Sequence, residues 1–200
     1  ALDALARAGL IYPCCCNRAD IAQAAAAPQE GVPEFGPDGR IYPGTCRHRS
    51  LSQARPGDAL RLDMRKAVKA LQKPVTYEEF GEQHSKRITL KAEALIAQVG
   101  DVVLRRKDQG AAYHLAVVID DDAQNITDVV RGADLNAATQ IHVVLQQLLN
   151  IPTPRYHHHS LIRDETGKRL AKRSDSEALS SLRKAGHSAQ DITERLFSAP

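Results

Sequence analysis

From Gly100 onward the chain alternates short apolar stretches of strand and helix character, and this alternation restricts it to an α/β architecture. Asp101 to Arg106 reads as a strand, Tyr113 to Asp121 as an apolar helix ending in acids, and Ile126 to Arg131 as a second strand. Asp134 has the side chain to cap a helix running to Leu149, whose Ile141, Leu145 and Leu148 share one face; Pro152 and Pro154 then end it. The pattern is half of a doubly wound sheet, in which ligands gather at the carboxyl ends of the strands. Arg131 stands at such an end, followed by Gly132.

The residues before this point have a different texture. Ala1 to Ala8 has apolar residues at helical spacing, and Gly9 suits the helix C-terminus. The chain then enters Cys14-Cys15-Cys16, with Tyr42, Cys46 and His48 further on. Three adjacent cysteines make a poor disulfide framework and a better source of metal ligands in a reducing compartment. Zinc takes four ligands, mostly thiolate and imidazole, and a closed site would staple a segment whose own core is small. An alanine-rich helix from Arg18 to Ala27 precedes a turn-rich excursion from Pro28 to Gly39. Ala59 to Met64, Val75 to Phe80 and Ile88 to Leu90 read as short strands. Residues 1–98 are therefore expected to form a small mixed α+β domain inserted into a larger fold, with residues 99–158 as the half of the doubly wound sheet that follows it.

Composition narrows the partners. With 200 residues, 42% hydrophobic and 26% charged, the chain suits a globular protein of one or two domains. A formal net charge of +3 excludes a histone-like binder, so RNA would have to meet local basic surfaces such as Arg61, Arg65, Lys66, Lys69 and Lys73. The longest apolar run, Leu115 to Ile119, is far too short for a membrane span, and nothing resembles a signal peptide; the cytoplasm is the expected compartment.

Residues 159–200 carry a basic loop and two helices. Gly167 opens Lys168-Arg169-Leu170-Ala171-Lys172-Arg173-Ser174, a loop that by itself reads as a solvated basic surface run, or as one whose cations could close over a polyphosphate and neutralise charge that develops as pyrophosphate leaves. Helices are expected from Ser176 to Ala185 and from Ser188 to Phe197, separated by Gly186. His157, His158 and His159 lie in an extended segment, where adjacent side chains point to alternate faces and do not converge on one ion. Arg131 could present a guanidinium fork to a carboxylate, with Tyr113 adding a hydroxyl; equally, Arg131 could be a surface ion-pair partner and Tyr113 a core aromatic.

Four of these stretches resemble, in order and spacing, class I aminoacyl-tRNA synthetases of the glutamate-specific branch: Gly100 to Arg106, Ala112 to Asp121, Ile126 to Asp134, and the loop from Arg169 to Arg173. The loop resembles the KMSKS signature, with Lys172 on its second lysine. The knuckle ending in Tyr42-Pro43-Gly44-Thr45-Cys46-Arg47 looks most like the short glutamyl-Q tRNA(Asp) synthetase family, which has no anticodon-binding domain. The resemblance implies the second half of a Rossmann-like catalytic fold with a tRNA-facing insertion stapled by one structural zinc on Cys14, Cys16, Tyr42 and Cys46, His48 being a rival for the fourth position. It further implies that Tyr113 and Arg131 bind L-glutamate, that Arg169, Leu170, Ala171, Lys172 and Arg173 meet ATP, which brings Mg²⁺, and that Lys172 is catalytic.

The implied activity is ATP-dependent formation of glutamyl-adenylate and transfer of the glutamate to queuosine in the anticodon of tRNA(Asp), with no DNA or membrane partner. The family's other signature, the HIGH motif, is absent from these residues, so a fragment beginning at the insertion, inactive alone, is expected. The alternatives are a C-terminally shortened glutamyl-tRNA synthetase charging tRNA(Glu) and a non-catalytic, zinc-stapled tRNA-binding remnant.

Overall fold

Helix α1 (Leu2–Arg7) ends as Gly9 requires. Gly9, at φ +68°, donates its N–H to Ala6, and the next N–H, from Leu10, returns to Leu5. This is the paired-bond stop that favours glycine just past a helix. It turns Leu10 back onto Leu5, and both are buried in the core.

A computed structural model describes residues 1–25, 33–81, 85–107, 110–163, 167 and 178–198. In chain order α1 is followed by β1 (Ile11–Cys14), α2 (Arg18–Ala25), β2 (Phe35–Gly36), β3 (Gly39–Arg40), β4 (Ala59–Leu62), α3 (Met64–Ala70), β5 (Val75–Phe80), β6 (Ser85–Leu90) and α4 (Ala92–Ala94). A π-helical turn, Leu95–Val99, leads to β7 (Val103–Arg106), β8 (Gly110–Ala111), α5 (Tyr113–Ala123), β9 (Asp128–Gly132), α6 (Thr139–Leu148), β10 (Arg155–His159), α7 (Leu179–Lys184) and α8 (Ala189–Ser198). These residues fall into two compact units, 1–131 with 135–158, and 132–134 with 159–200.

The larger unit holds two four-stranded sheets, ordered β1-β4-β7-β8 and β6-β5-β10-β9. In the first, every residue of β4 is buried, so it can only be an interior strand, and β1 and β7 flank it antiparallel. In the second, β5 pairs antiparallel with β6 and parallel with β10. Each sheet thus joins strands from before and after residue 98. The alternation from Gly100 does not build a single sheet either. Because β4 needs a second neighbour, β7 goes to the first sheet, while β9 goes to the second.

One core serves both sheets. Leu62, Met64 and Leu104 meet Ile141, Val144 and Leu145 of α6, with Tyr77 and Tyr156 at the second sheet. Helix α6 is buried around most of its circumference, a wider apolar surface than the single face of Ile141, Leu145 and Leu148. It starts at Thr139 behind Ala138, without a side-chain cap, so Asp134 is not its capping residue. Asp134 lies in a separate 3₁₀ turn, Ala133–Leu135, after which the backbone makes further short turns into the helix.

In the smaller unit α7 also stops at a glycine, Gly186 at φ +94°. Ser188 and Asp191 then exchange backbone-to-side-chain hydrogen bonds of 2.7 and 3.1 Å that start α8.

Candidate functional site

Strand β1 delivers Cys14 into the interior and leaves Cys15 exposed, because its buried run ends there. Cys46, in the turn after Tyr42, comes back against it. The Tyr42 hydroxyl lies 3.4 Å from both the Cys14 and Cys16 sulfurs, and the Cys16 and Cys46 sulfurs lie 3.6 Å apart. The sulfurs of Cys14, Cys16 and Cys46 are all within 4.8 Å of one another. A tetrahedral zinc with bonds of about 2.3 Å to sulfur and about 2.0 Å to oxygen sets S···S near 3.8 Å and S···O near 3.5 Å. The four donors therefore fit such an ion in both chemistry and spacing. His48 is exposed and is not part of this group. Cys15 does not pack as a small apolar side chain: it is exposed, beside Arg49 and Arg55 in an open cleft.

The metal-free electrostatics of the cluster are divided. Burial, reinforced by the surrounding thiols, holds the Tyr42 phenol well above its usual range, and burial pushes Cys16 up to about 11. Burial also opposes ionisation of Cys46, but hydrogen bonds from Tyr42, the Cys15 backbone and the neighbouring thiols bring it down to about 6. Cys46 is thus ready to ligate, whereas Tyr42 would need a cation beside it to release its proton.

A buried carboxylate supports this cluster. Asp101 Oδ2 accepts from the Tyr12 hydroxyl at 2.5 Å and from Arg47 Nε at 2.8 Å, while Oδ1 accepts the Met64 N–H at 2.9 Å. Arg61 donates to the Asp101 carbonyl at 3.1 Å and lies 4.0 Å over the Tyr42 ring. Arg61 is only 8% exposed, so it is not part of a basic RNA-facing surface; its charge is spent on Tyr42 and the Asp101 backbone. Arg65, Lys66, Lys69 and Lys73 are exposed, on and just beyond α3.

The second cluster is built around Arg131, on β9. Its Nε donates to His158 Nε2 at 3.1 Å, Nη1 to His142 Nδ1 at 3.2 Å, and Nη2 to the Thr139 hydroxyl at 2.6 Å and the Leu135 carbonyl at 3.4 Å. The guanidinium also lies 5.2 Å from the Tyr156 ring centroid. Beyond His142, its Nε2 meets His114 Nδ1 at 3.0 Å, and His114 Nε2 meets Asp38 at 3.3 Å. On the other side His158 Nδ1 lies 2.9 Å from Glu79. Guanidinium only donates, so the tautomers follow: His142 carries its proton on Nε2, His114 on Nε2 and His158 on Nδ1. Burial, then the charge of Arg131, then His114 and His158, push His142 down to about 3. Tyr113 is 47% exposed, with its ring 5.8 Å from that of His142. Tyr113 and Arg131 thus border one polar cluster, bridged by His142.

Strand β10 separates its three histidines. His158 stacks on Tyr156 toward Arg131, His157 lies against Phe80, and His159 is exposed, so they do not converge.

Compared with known proteins, residues 4–197 match the family model of class I tRNA synthetases (E and Q), catalytic domain. The chain belongs to this family. Among relatives of the class I domain, the glutamyl-Q tRNA(Asp) synthetase of Rhodobacter capsulatus is 52% identical over 195 residues, covering 96% of this chain and 68% of that protein. That of Geobacter sulfurreducens is 41% identical over 186 residues, covering 92% of this chain and 52% of the relative. The chain therefore spans about half to two-thirds of these relatives. A glutamate tRNA ligase from Elizabethkingia meningosepticum, solved with its amino acid, aligns with TM-score 0.57 at 20% identity over 93% of this chain and 35% of that one, which is a likeness of fold.

Within this class I synthetase domain, Arg169, Leu170, Ala171, Lys172 and Arg173 lie outside the described residues. Sequence reasoning missed Asp38, Glu79, Asp101, His114, Thr139 and His142. His142 left a signal, an imidazole on the apolar stripe of α6. Asp38, inside the turn-rich excursion, left none.

Proposed function

We propose that the chain supplies the second half of the catalytic domain of a glutamyl-Q tRNA(Asp) synthetase: ATP-dependent activation of L-glutamate, then transfer to queuosine in tRNA(Asp). The observation that carries the reading is the Arg131 cluster, a half-buried guanidinium at the end of a strand with Tyr113 nearby. Its contacts leave at least one of five N–H groups, on Nη1, without a partner among the described residues. An incoming carboxylate takes that hydrogen and replaces the 3.4 Å contact to Leu135, completing a two-point fork. Tyr113, half exposed, has its ring 5.8 Å from that of His142, which Arg131 contacts, and could add its hydroxyl to the same carboxylate.

In the first step the substrate carboxylate attacks the α-phosphorus of ATP, forming glutamyl-adenylate and releasing pyrophosphate. No side chain need act as nucleophile; the protein contributes position and charge. Lys172, with Arg169, Leu170, Ala171 and Arg173, has the motif position to neutralise the leaving pyrophosphate. Mg²⁺ accompanies ATP and screens its phosphates. In the second step a hydroxyl of queuosine attacks the adenylate carbonyl and AMP leaves.

A structural zinc would be held by Cys14, Cys16, Cys46 and Tyr42, closing the segment that precedes β4. Residues 1–98 would then be the tRNA-facing insertion, sharing both sheets with the residues that follow rather than standing as a separate core, with Arg65, Lys66, Lys69 and Lys73 making phosphate contacts that orient the RNA without reading its sequence. Residues 99–158 would be the nucleotide-binding half and 159–200 the loop and its helices. Among the described residues no helix is long and apolar enough to cross a membrane. A cytoplasmic enzyme is consistent with that and with four free thiols.

The test uses the full-length protein with labelled glutamate, ATP and purified tRNAs. Label is expected on queuosine-containing tRNA(Asp) and not on the same tRNA lacking queuosine. Label on tRNA(Glu) instead would assign the protein to ordinary glutamyl-tRNA synthetases.

A further inference from the structure

The partners of Arg131 have a pattern that hydrogen-bond satisfaction alone does not require. An arginine that must be held in place is most simply paired with a carboxylate. Here its named acceptors are all uncharged: a hydroxyl, a backbone carbonyl and two imidazole nitrogens. Two carboxylates do belong to the network, but each is set back behind imidazole, and a third, Asp121 on α5, acts on the Arg131 charge only through space, with no hydrogen bond to it among the described residues. Glu79 lies beyond His158, and Asp38 lies beyond both His142 and His114. The hydrogen bonds run outward from the guanidinium along both arms, so each carboxylate anchors a chain without contacting the cation.

We propose that His142 and His158 are specificity-determining positioning residues, neutral acceptors that fix the Arg131 guanidinium while leaving its charge for an anionic substrate carboxylate. This rests on the reading of Arg131 as the glutamate contact. A carboxylate in either position would hold Arg131 equally well and would compete with the substrate for it. Burial on α6 suits His142 to the task. The residue is 2% exposed, and depression of its basicity keeps it an acceptor at neutral pH. His158, stacked on Tyr156 with its ring plane only 3° away, is fixed in orientation by the aromatic beneath it.

The test compares acceptors that differ in charge but little in shape. His142→Asn keeps a neutral oxygen near the position of Nδ1, and His142→Asp puts a carboxylate there. Pyrophosphate exchange by the full-length protein gives kcat and the KM values for glutamate and ATP. The Asp variant should raise the glutamate KM by about tenfold or more over the Asn variant. The KM for ATP should stay within about threefold in both, since a selective effect leaves the other substrate's binding intact. The second pair, His158→Gln and His158→Glu, makes the same comparison from the other arm and keeps the test decisive should His142→Asp not fold. Equal glutamate KM values within each pair, or parallel losses for glutamate and ATP, would overturn the proposal and leave the glutamate reading intact. Absence of glutamate-dependent exchange in the unsubstituted protein would overturn both.

Discussion

Replacing Asp101 with asparagine changes almost no volume and removes one charge from a buried carboxylate that accepts three hydrogen bonds. Asp101 has 1% of its side chain exposed; it takes Tyr12 and Arg47 on one oxygen and the Met64 N–H on the other. An amide cannot accept on both sides. If its oxygen stays with Tyr12 and Arg47, its NH₂ meets the Met64 N–H, donor against donor; if it flips, the NH₂ meets Arg47. Leaving a buried donor unpaired costs about 1–3 kcal/mol. Breaking a fully buried ion pair costs about 3–5 kcal/mol, but Arg47 is 25% exposed and water recovers part of that. The expected loss is therefore about 3 kcal/mol, or a fall in Tm of about 6–12 °C for a chain of this size. Urea unfolding followed by circular dichroism, analysed at a common slope, measures it. Tyr12→Phe, which deletes one donor and keeps the ring, should cost about 1 kcal/mol. A loss below about 1 kcal/mol for Asp101→Asn would refute the view that this carboxylate holds the first sheet to α3.

Four further outcomes are expected. Purified protein should contain close to one zinc per chain; Cys46→Ala should lose it and Cys15→Ala should not, as elemental analysis will tell. Because His142 ionises near 3 when folded and near 6.5 when unfolded, the unfolded chain binds the extra proton first. Stability is then complete above about pH 6.5 and falls as pH drops toward about 3, by up to about 4–5 kcal/mol. Melts of His142→Asn should show a shallower decline, and superimposable pH profiles would contradict the assignment. Gly100→Ala should destabilise by about 1–2 kcal/mol or more, since φ is +69° and the added methyl would stand 2.9 Å from Ile41; a neutral result in urea would mean that the backbone relaxes. Arg131→Ala should raise the glutamate KM by roughly 30-fold or more while barely moving that for ATP, and equal effects on both would indicate a structural role.

Local features were the legible ones. Gly9 announced the end of α1, and the alternation of Val75 to Phe80 announced a strand. What periodicity could not supply was which strands pair. β4 looks alternating in sequence, Ala-Leu-Arg-Leu, yet all four residues are buried, because Arg61 finds an aromatic face and a carbonyl inside. A lone arginine at an inward position reads as surface until its partners are known. The donors of the thiol cluster were legible as a set because three are cysteines, whereas the Arg131 network draws on Asp38, Glu79, His114 and His142, spread over distant segments. Its members have no shared spacing, and only the fold brings them together.

The order of strands in the second sheet bears on how the chain comes to fold as it is made. β10 is the last strand of that sheet to be synthesised, yet it lies in its interior, between β5 and β9. His158 follows its partner Glu79 by 79 residues, a delay of roughly 4–16 s at ordinary rates of translation. Until β10 arrives, β5 lacks its inner neighbour and β9, once made, has none, whereas the last strand of the first sheet, β8, is complete by residue 111. The Arg131 network takes Glu79 from β5, the arginine from β9 and His158 from β10, so it cannot exist until the late strand is inserted. Completion of the sheet and assembly of the polar cluster are thus one event, and a nascent chain stalled before residue 155 would present unpaired strand edges to any chaperone or protease that samples it.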